Sequence, residues 1–119
     1  MADLSGERRR APRVTSCNLV HCEEVDSLGM VRSALMGRTL DLSDIGAKVE
    51  LLGSRPDDLP RDGELWMTLA LRDELVRVRG RVAYEEEAGA RVRRLGVEFR
   101  GIAPAECGVL ASFVGAVSA

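Results

Sequence analysis

Four arginines crowd the start of the chain in the stretch ERRRAPRV, at Arg8, Arg9, Arg10 and Arg13. A guanidinium is a planar fork of donors that pairs bidentately with phosphate or carboxylate oxygens, or with the O6 and N7 edge of guanine, and its plane stacks on bases. An ammonium would supply charge alone. The same run at a chain terminus is also the composition of a solvated tail. A second pattern, Asp41-x-Ser43-x-x-Gly46 in DLSDIGAKVE, falls between two strand-like runs. By itself it reads as a turn, since Asp and Ser side chains bond nearby backbone groups and glycine supplies permissive dihedrals.

Other groupings of reactive side chains fail on geometry. Cys17, His21 and Cys22 are of metal-ligand type, but on an extended strand a rise of ~3.3 Å per residue separates Cys17 from His21 by roughly 13 Å. One tetrahedral zinc with ~2.3 Å bonds does not bridge that distance, and Cys22 points to the opposite face from His21. All three are expected as small core or surface residues. As a catalytic pair they lack an orienting partner, and the sequence holds no Gly-x-Ser-x-Gly elbow, Walker loop or two-histidine motif. The expectation is a protein that is not an enzyme and uses neither metal nor cofactor. An odd number of cysteines, three, argues for reduced thiols over a disulfide framework. Glu85, Glu86 and Glu87 are expected at a solvated hairpin tip.

The elements that position these residues are mostly strands. In ELVRVRGRVAY, Val76, Val78, Gly80 and Val82 share one face and Arg77, Arg79 and Arg81 the other, a half-buried strand whose arginines face solvent or, alternatively, an acidic partner. ELWMTLAL turns Leu65, Met67, Leu69 and Leu71 inward and Trp66 outward, where either the C-terminal helix covers it or a partner does. The helix is the expected cover, because most large apolar side chains end up buried. RLGVEF repeats the pattern, and RVTSCNLV, MVRSALM, RTLDLS and AKVELL are further short runs between turn formers. One helix is expected near residues 103 to 117, with Pro104 in its first turn and Val109, Leu110, Phe113, Val114 and Val117 at helical spacing. A chain of 119 residues, 45% hydrophobic, is enough for one core. Residues 1–12 have no period and read as a mobile arm, and 13–119 as a single domain, an antiparallel sandwich or barrel with its helix. Without an apolar run of about 18 residues or a secretory leader, the expected setting is soluble and cytoplasmic, with no membrane span. A net charge of −2 and 3% aromatics argue against a nucleic-acid partner.

Taken together, Arg9-x-x-x-Arg13 and the downstream Asp41-x-Ser43-x-x-Gly46 resemble the paired signature of the PilZ domain family. The likeness continues through RTLDLSDIGAKVELL, DGELWMTLAL, RVRGRVAY and RLGVEFRGI to the terminal helix, from about Glu7 to the C-terminus. The resemblance implies an all-β fold, a six-stranded antiparallel Greek-key barrel with a C-terminal α-helix, against seven strand-like runs in the sequence. It implies a receptor for the bacterial second messenger cyclic di-GMP that signals to an unidentified downstream protein in motility, biofilm or related control. The ligand residues it implies are Arg9, Arg13, Asp41, Ser43 and Gly46, with Arg8 and Arg10 adding phosphate contacts or only charge. Asp41 suits the N1 and N2 edge of guanine, Ser43 a phosphate or base, and Gly46 a backbone turning close past the ligand. Some family members lack the motifs and act through protein contacts alone; an adaptor of that kind is the alternative.

Overall fold

The computed structural model describes residues 14–53 and 63–118. Its elements are β1 (Val14–Thr15), β2 (Leu19–Val25), β3 (Val31–Leu42), β4 (Gly46–Leu52), β5 (Glu64–Leu71), β6 (Glu74–Glu87), β7 (Val92–Ile102) and α1 (Pro104–Ser118). Neighbours run β3-β2-β5-β6-β7-β4 and return to β3, so six antiparallel strands close a barrel. β1 is not a seventh stave. It lies in line with β2 along the end of β3, with Val14 opposite Leu42 and Thr15 opposite Asp41, while Leu19 follows opposite Arg38. The gap between them is tied by the Ser16 amide donating to the Leu40 carbonyl at 3.2 Å, and by the Asn18 amide donating to the buried Thr39 hydroxyl at 2.9 Å. MVRSALM and RTLDLS are one continuous strand, β3, with a bulge between Thr39 and Asp41. These two facts reconcile seven sequence runs with six staves.

β3 and β4 form a hairpin, one of the six pairings that close the barrel. A Cβ on Gly37 would collide with the Glu50 carbonyl oxygen, so the two backbones approach as only a glycine allows. The interior is filled by the alternate residues that strand periodicity selects, among them Val20, Val49, Leu51, Leu65, Met67, Leu69, Val76, Val78, Leu95 and Val97. Leu110 and Val114 of α1 are buried in the same core, with Val109 and Phe113 packed at its margin. Glu106, in the first turn of the helix, accepts a 2.8 Å hydrogen bond from the Arg77 amide of β6 and complements the helix dipole. No helix among the described residues is long and apolar enough to cross a membrane.

Two expectations about individual side chains are corrected. Trp66 is only half-buried, and what lies over its ring is the Arg77 guanidinium, 4.6 Å from the ring centre. The helix presents its apolar stripe to the core instead. The acidic run is not all solvated turn. β6 carries through to Glu87, and a register shift between Val82 and Tyr84 exchanges the strand's faces. Because side chains alternate with period two, that slip turns Tyr84 outward and Glu85 inward. Arg93 reaches Glu85 through Nε at 3.0 Å and Nη2 at 3.3 Å. It also holds Glu24 bidentately at 3.0 and 3.1 Å. Arg93 and Glu24 are 5% and 4% exposed, so this is an ion cluster inside the barrel rather than a surface pair. Glu86 does remain outside, paired with Lys48 at 3.5 Å.

Beside the cluster, burial and then the Glu24 charge push the Cys22 thiol up to about 12, with Arg93 opposing. Cys22 therefore stays a neutral core residue, whereas Cys17 and Cys107 are exposed. At pH 8 an aromatic disulfide reagent is expected to label Cys17 and Cys107 promptly and Cys22 only as the protein unfolds. Since the folded state keeps that proton up to about 12 and the unfolded chain releases it near the ordinary thiol value of 9.0, stability should fall as pH rises through this interval. Cys22→Ala should remove that component of the alkaline slope. For the ion cluster, Arg93→Leu strands two carboxylates in the interior and should cost about 3–5 kcal/mol in denaturant unfolding. A loss below ~1 kcal/mol would show the cluster to be solvated.

Candidate functional site

The β3–β4 connection is a tight turn built by the sequence Ser43-Asp44-Ile45-Gly46. The Ser43 amide donates to the Gly46 carbonyl at 2.9 Å. Its hydroxyl accepts from the amides of Ile45 and Gly46, each at 3.2 Å, and donates to the Gly46 carbonyl at 3.2 Å. Ser43 is completely buried, so its hydroxyl works inside the turn. The Ile45 carbonyl then accepts from the Phe99 amide at 2.9 Å, fastening the turn to β7. Gly46 has no positive φ, in contrast to the permissive dihedral expected from sequence. Its requirement is space: a Cβ would lie 2.5 Å from the Val97 carbonyl oxygen.

Asp41 sits half-buried at the β3 bulge, its Oδ1 accepting from the Lys48 amide at 3.2 Å. Asp44, which sequence reasoning passed over, holds a carboxylate oxygen that is buried with no hydrogen-bond partner among the described residues. Buried acceptors are ordinarily satisfied, which makes this oxygen a marked feature of the turn. Its only sequence signal is its place inside the motif. Next to the turn, a shallow groove of about 170 Å³ is bordered by Ile45, Ala47, Ala83, Tyr84, Gly96 and Glu98. Tyr84 reaches that surface because of the β6 register shift, and its ring lies over Gly96, leaving no room there for a Cβ. Periodicity alone gave no sign of it.

Asp41, Ser43 and Gly46 are thus brought together on one turn. Arg8, Arg9, Arg10 and Arg13 lie outside the described residues. What the structure fixes is their point of attachment: the chain enters β1 at Val14, opposite Leu42 and one residue from Ser43. The other candidates are dispersed. Cys22 faces the core, His21 faces outward beside Met36 and Thr68, and Cys17 stands near Arg38, with Nη1 3.9 Å from its sulfur. Arg77 pairs with Glu23 at 3.3 Å and Arg81 with Glu98 at 3.5 Å, an outward stripe as expected.

A closed six-stranded barrel with a C-terminal helix and an Asp-x-Ser-x-x-Gly turn beside its N-terminal entry defines a small domain of the PilZ type. The PilZ domain profile matches residues 7–116, and the chain belongs to that family. Among solved structures, it superposes on the "PilZ domain with c-di-GMP of YcgR from Escherichia coli" with a TM-score of 0.68 and 18% identity, covering 93% of this chain and 92% of that one. It superposes on the Bacillus subtilis inhibitor of motility, MotI/DgrA, with a TM-score of 0.73 and 15% identity, over 92% of this chain and 50% of the other. The PilZ domain of CeSA from a cellulose-synthesizing bacterium aligns with a TM-score of 0.60 and 20% identity, over 90% and 98%. At these identities the likeness establishes the fold. No curated protein matches in sequence.

The roles of the turn residues separate by stability. Ser43→Ala removes a buried hydroxyl that both donates and accepts, leaving the Ile45 and Gly46 amides short of an acceptor while the Gly46 carbonyl keeps the Ser43 amide. It is expected to lower unfolding stability by about 1–3 kcal/mol without any ligand present. An unchanged denaturation midpoint would show that the hydroxyl contributes nothing to the turn.

Proposed function

We propose that this chain is a cyclic di-GMP receptor whose N-terminal arginines close on the Asp41–Gly46 turn, and that the bound form signals to a partner protein. The observation that carries the reading is the register of β1 on β3. It attaches the arginine-bearing segment one residue from the turn that holds the second half of the motif. Two jaws distant in sequence need such an anchor to meet on one ligand. The buried, unpartnered Asp44 oxygen adds support, since an arginine of the arm would satisfy it. So do membership of the PilZ family and the likeness to a YcgR PilZ domain described with c-di-GMP.

In this reading Arg9 and Arg13 supply the bidentate and stacking contacts to phosphate and guanine, with Arg8 and Arg10 adding contacts or field. Asp41 offers a carboxylate to the guanine edge. Ser43 and Gly46 act mainly by shaping the turn, so their part in recognition is to place Asp41 and the backbone amides. The arm, residues 1–12, gains order over the ligand, and a partner reads the covered surface. The barrel itself needs to move little. The reading requires no catalysis.

Titration calorimetry with cyclic di-GMP tests the proposal. Arg9→Ala and Arg13→Ala are each expected to remove about 1.5–3 kcal/mol of binding, roughly tenfold or more in affinity. Asp41→Ala should weaken binding and reduce preference for guanine over adenine dinucleotides. Arg77→Ala, on the outward stripe, should change neither. Absence of measurable binding by the unaltered chain would leave the adaptor reading in its place, and equal losses at Arg77 and Arg9 would reduce the clamp to general positive charge.

A further inference from the structure

Three aliphatic side chains that the barrel does not use lie together on its outside. Leu19 of β2 is 59% exposed, Met36 of β3 44% and Leu52 of β4 63%. They surround a groove of about 270 Å³ whose remaining lining is Gly37, Arg38 and Glu50. The β3–β4 pairing runs beneath it: Gly37, where the two backbones approach closely, lines the hollow between the three aliphatics without a side chain. Grouped exposed apolar side chains with a charged rim mark contact surfaces more often than scattered ones do.

The rim states what kind of contact. Glu50 is shared by two guanidiniums. Arg38 bonds its Oε1 through Nε and Nη2, both at 3.2 Å, and Arg94 bonds its Oε2 through Nε at 2.9 Å. Two cations on one carboxylate leave the rim positive, on a chain whose net charge is −2. Arg94 engages Glu50 through Nε, and its terminal nitrogens make no hydrogen bond among the described residues, its cross-strand neighbour Glu86 being paired with Lys48. A second copy of the chain would bring the same positive rim against this one, a like-charge contact that opposes self-association through this face.

We propose that the Leu19–Met36–Leu52 groove docks an acidic segment of another protein. One large aliphatic or aromatic side chain of that segment seats over Gly37, and a neighbouring carboxylate lies on the terminal nitrogens of Arg94. Such an anchor in a pocket with a charged rim is the arrangement in which few residues carry most of a contact's affinity. The groove shares β3 and β4 with the Asp41–Gly46 turn, but its side chains are separate from those assigned to the nucleotide.

The test is a titration of the full isotope-labelled chain followed by amide NMR. The probe is an end-blocked hexapeptide of two glutamates, leucine, phenylalanine and two glutamates. One control has lysines for glutamates; another has glycines for the central leucine and phenylalanine. Saturable shifts are expected at Leu19, Met36, Gly37 and Leu52 with the acidic peptide, weakening as salt is raised. Met36→Glu, on the outer face and outside the core, should weaken them roughly fivefold or more, and Arg94→Glu should reverse the preference toward the lysine peptide. Equal response to the lysine or glycine peptide, shifts centred on another face, or no saturable shift would overturn the proposal. So would shifts at the same positions on diluting the protein alone, which would assign the groove to a second copy. Calorimetry with cyclic di-GMP on the Met36→Glu variant keeps the two readings apart: nucleotide binding is expected unchanged, and its absence from the unaltered chain would sink the receptor reading while leaving the peptide result standing.

Discussion

The close passage of β3 over β4 at Gly37 is the constraint on which the rest of the molecule depends. With no Cβ in the way, the β3–β4 hairpin stays paired from its turn out to Gly37 and Leu51, and with the other five pairings it leaves the six-stranded sheet without a free edge. Once closed, the barrel sets the direction in which β3 leaves it. The bulge between Thr39 and Asp41 and the turn at Ser43 follow from that path, and β1 can lie only along the length of β3 that β2 leaves free.

The interior is a mixture of two kinds of cohesion. Most of it is aliphatic burial without direction, which tolerates rearrangement at modest cost. The Arg93–Glu24–Glu85 cluster is directional, and it joins residues from β2, β6 and β7 through four hydrogen bonds. Replacing such a cluster with matched apolar residues need not lower stability. Its directional bonds instead favour one register among β2, β6 and β7, since a one-residue slip in any of them would separate charges held away from water.

Much of this is legible in the sequence, for reasons that particular residues make clear. The faces of β5 and the first half of β6 follow from strict alternation, and the helix from apolar spacing after Pro104. The likeness that leads to the barrel rests on two short motifs and their order. Legibility ends where the chain departs from its period. One extra residue near Ala83 moves Glu85 inside and Tyr84 outside, and no local pattern foretells a bulge. The partner of Glu24 lies 69 residues away, beyond the reach of any windowed reading. Alternation turns Trp66 outward correctly, but its cover is a cross-strand arginine, since a cation over an aromatic face satisfies the ring as well as a helix would. The motif suggests a Ser43 hydroxyl reaching toward a ligand, whereas the turn itself occupies that hydroxyl.

β3 carries two messages in alternate letters. Leu35, Gly37, Thr39 and Leu42 face inward and are answerable to the fold; Met36, Arg38 and Asp41 face outward and answer to whatever meets the surface. Because the two sets of side chains face opposite ways, a substitution in the outer set changes what the surface presents while the side chains of the core stay in place. What such a barrel meets, small molecule or protein, is therefore set by side chains that its core does not need.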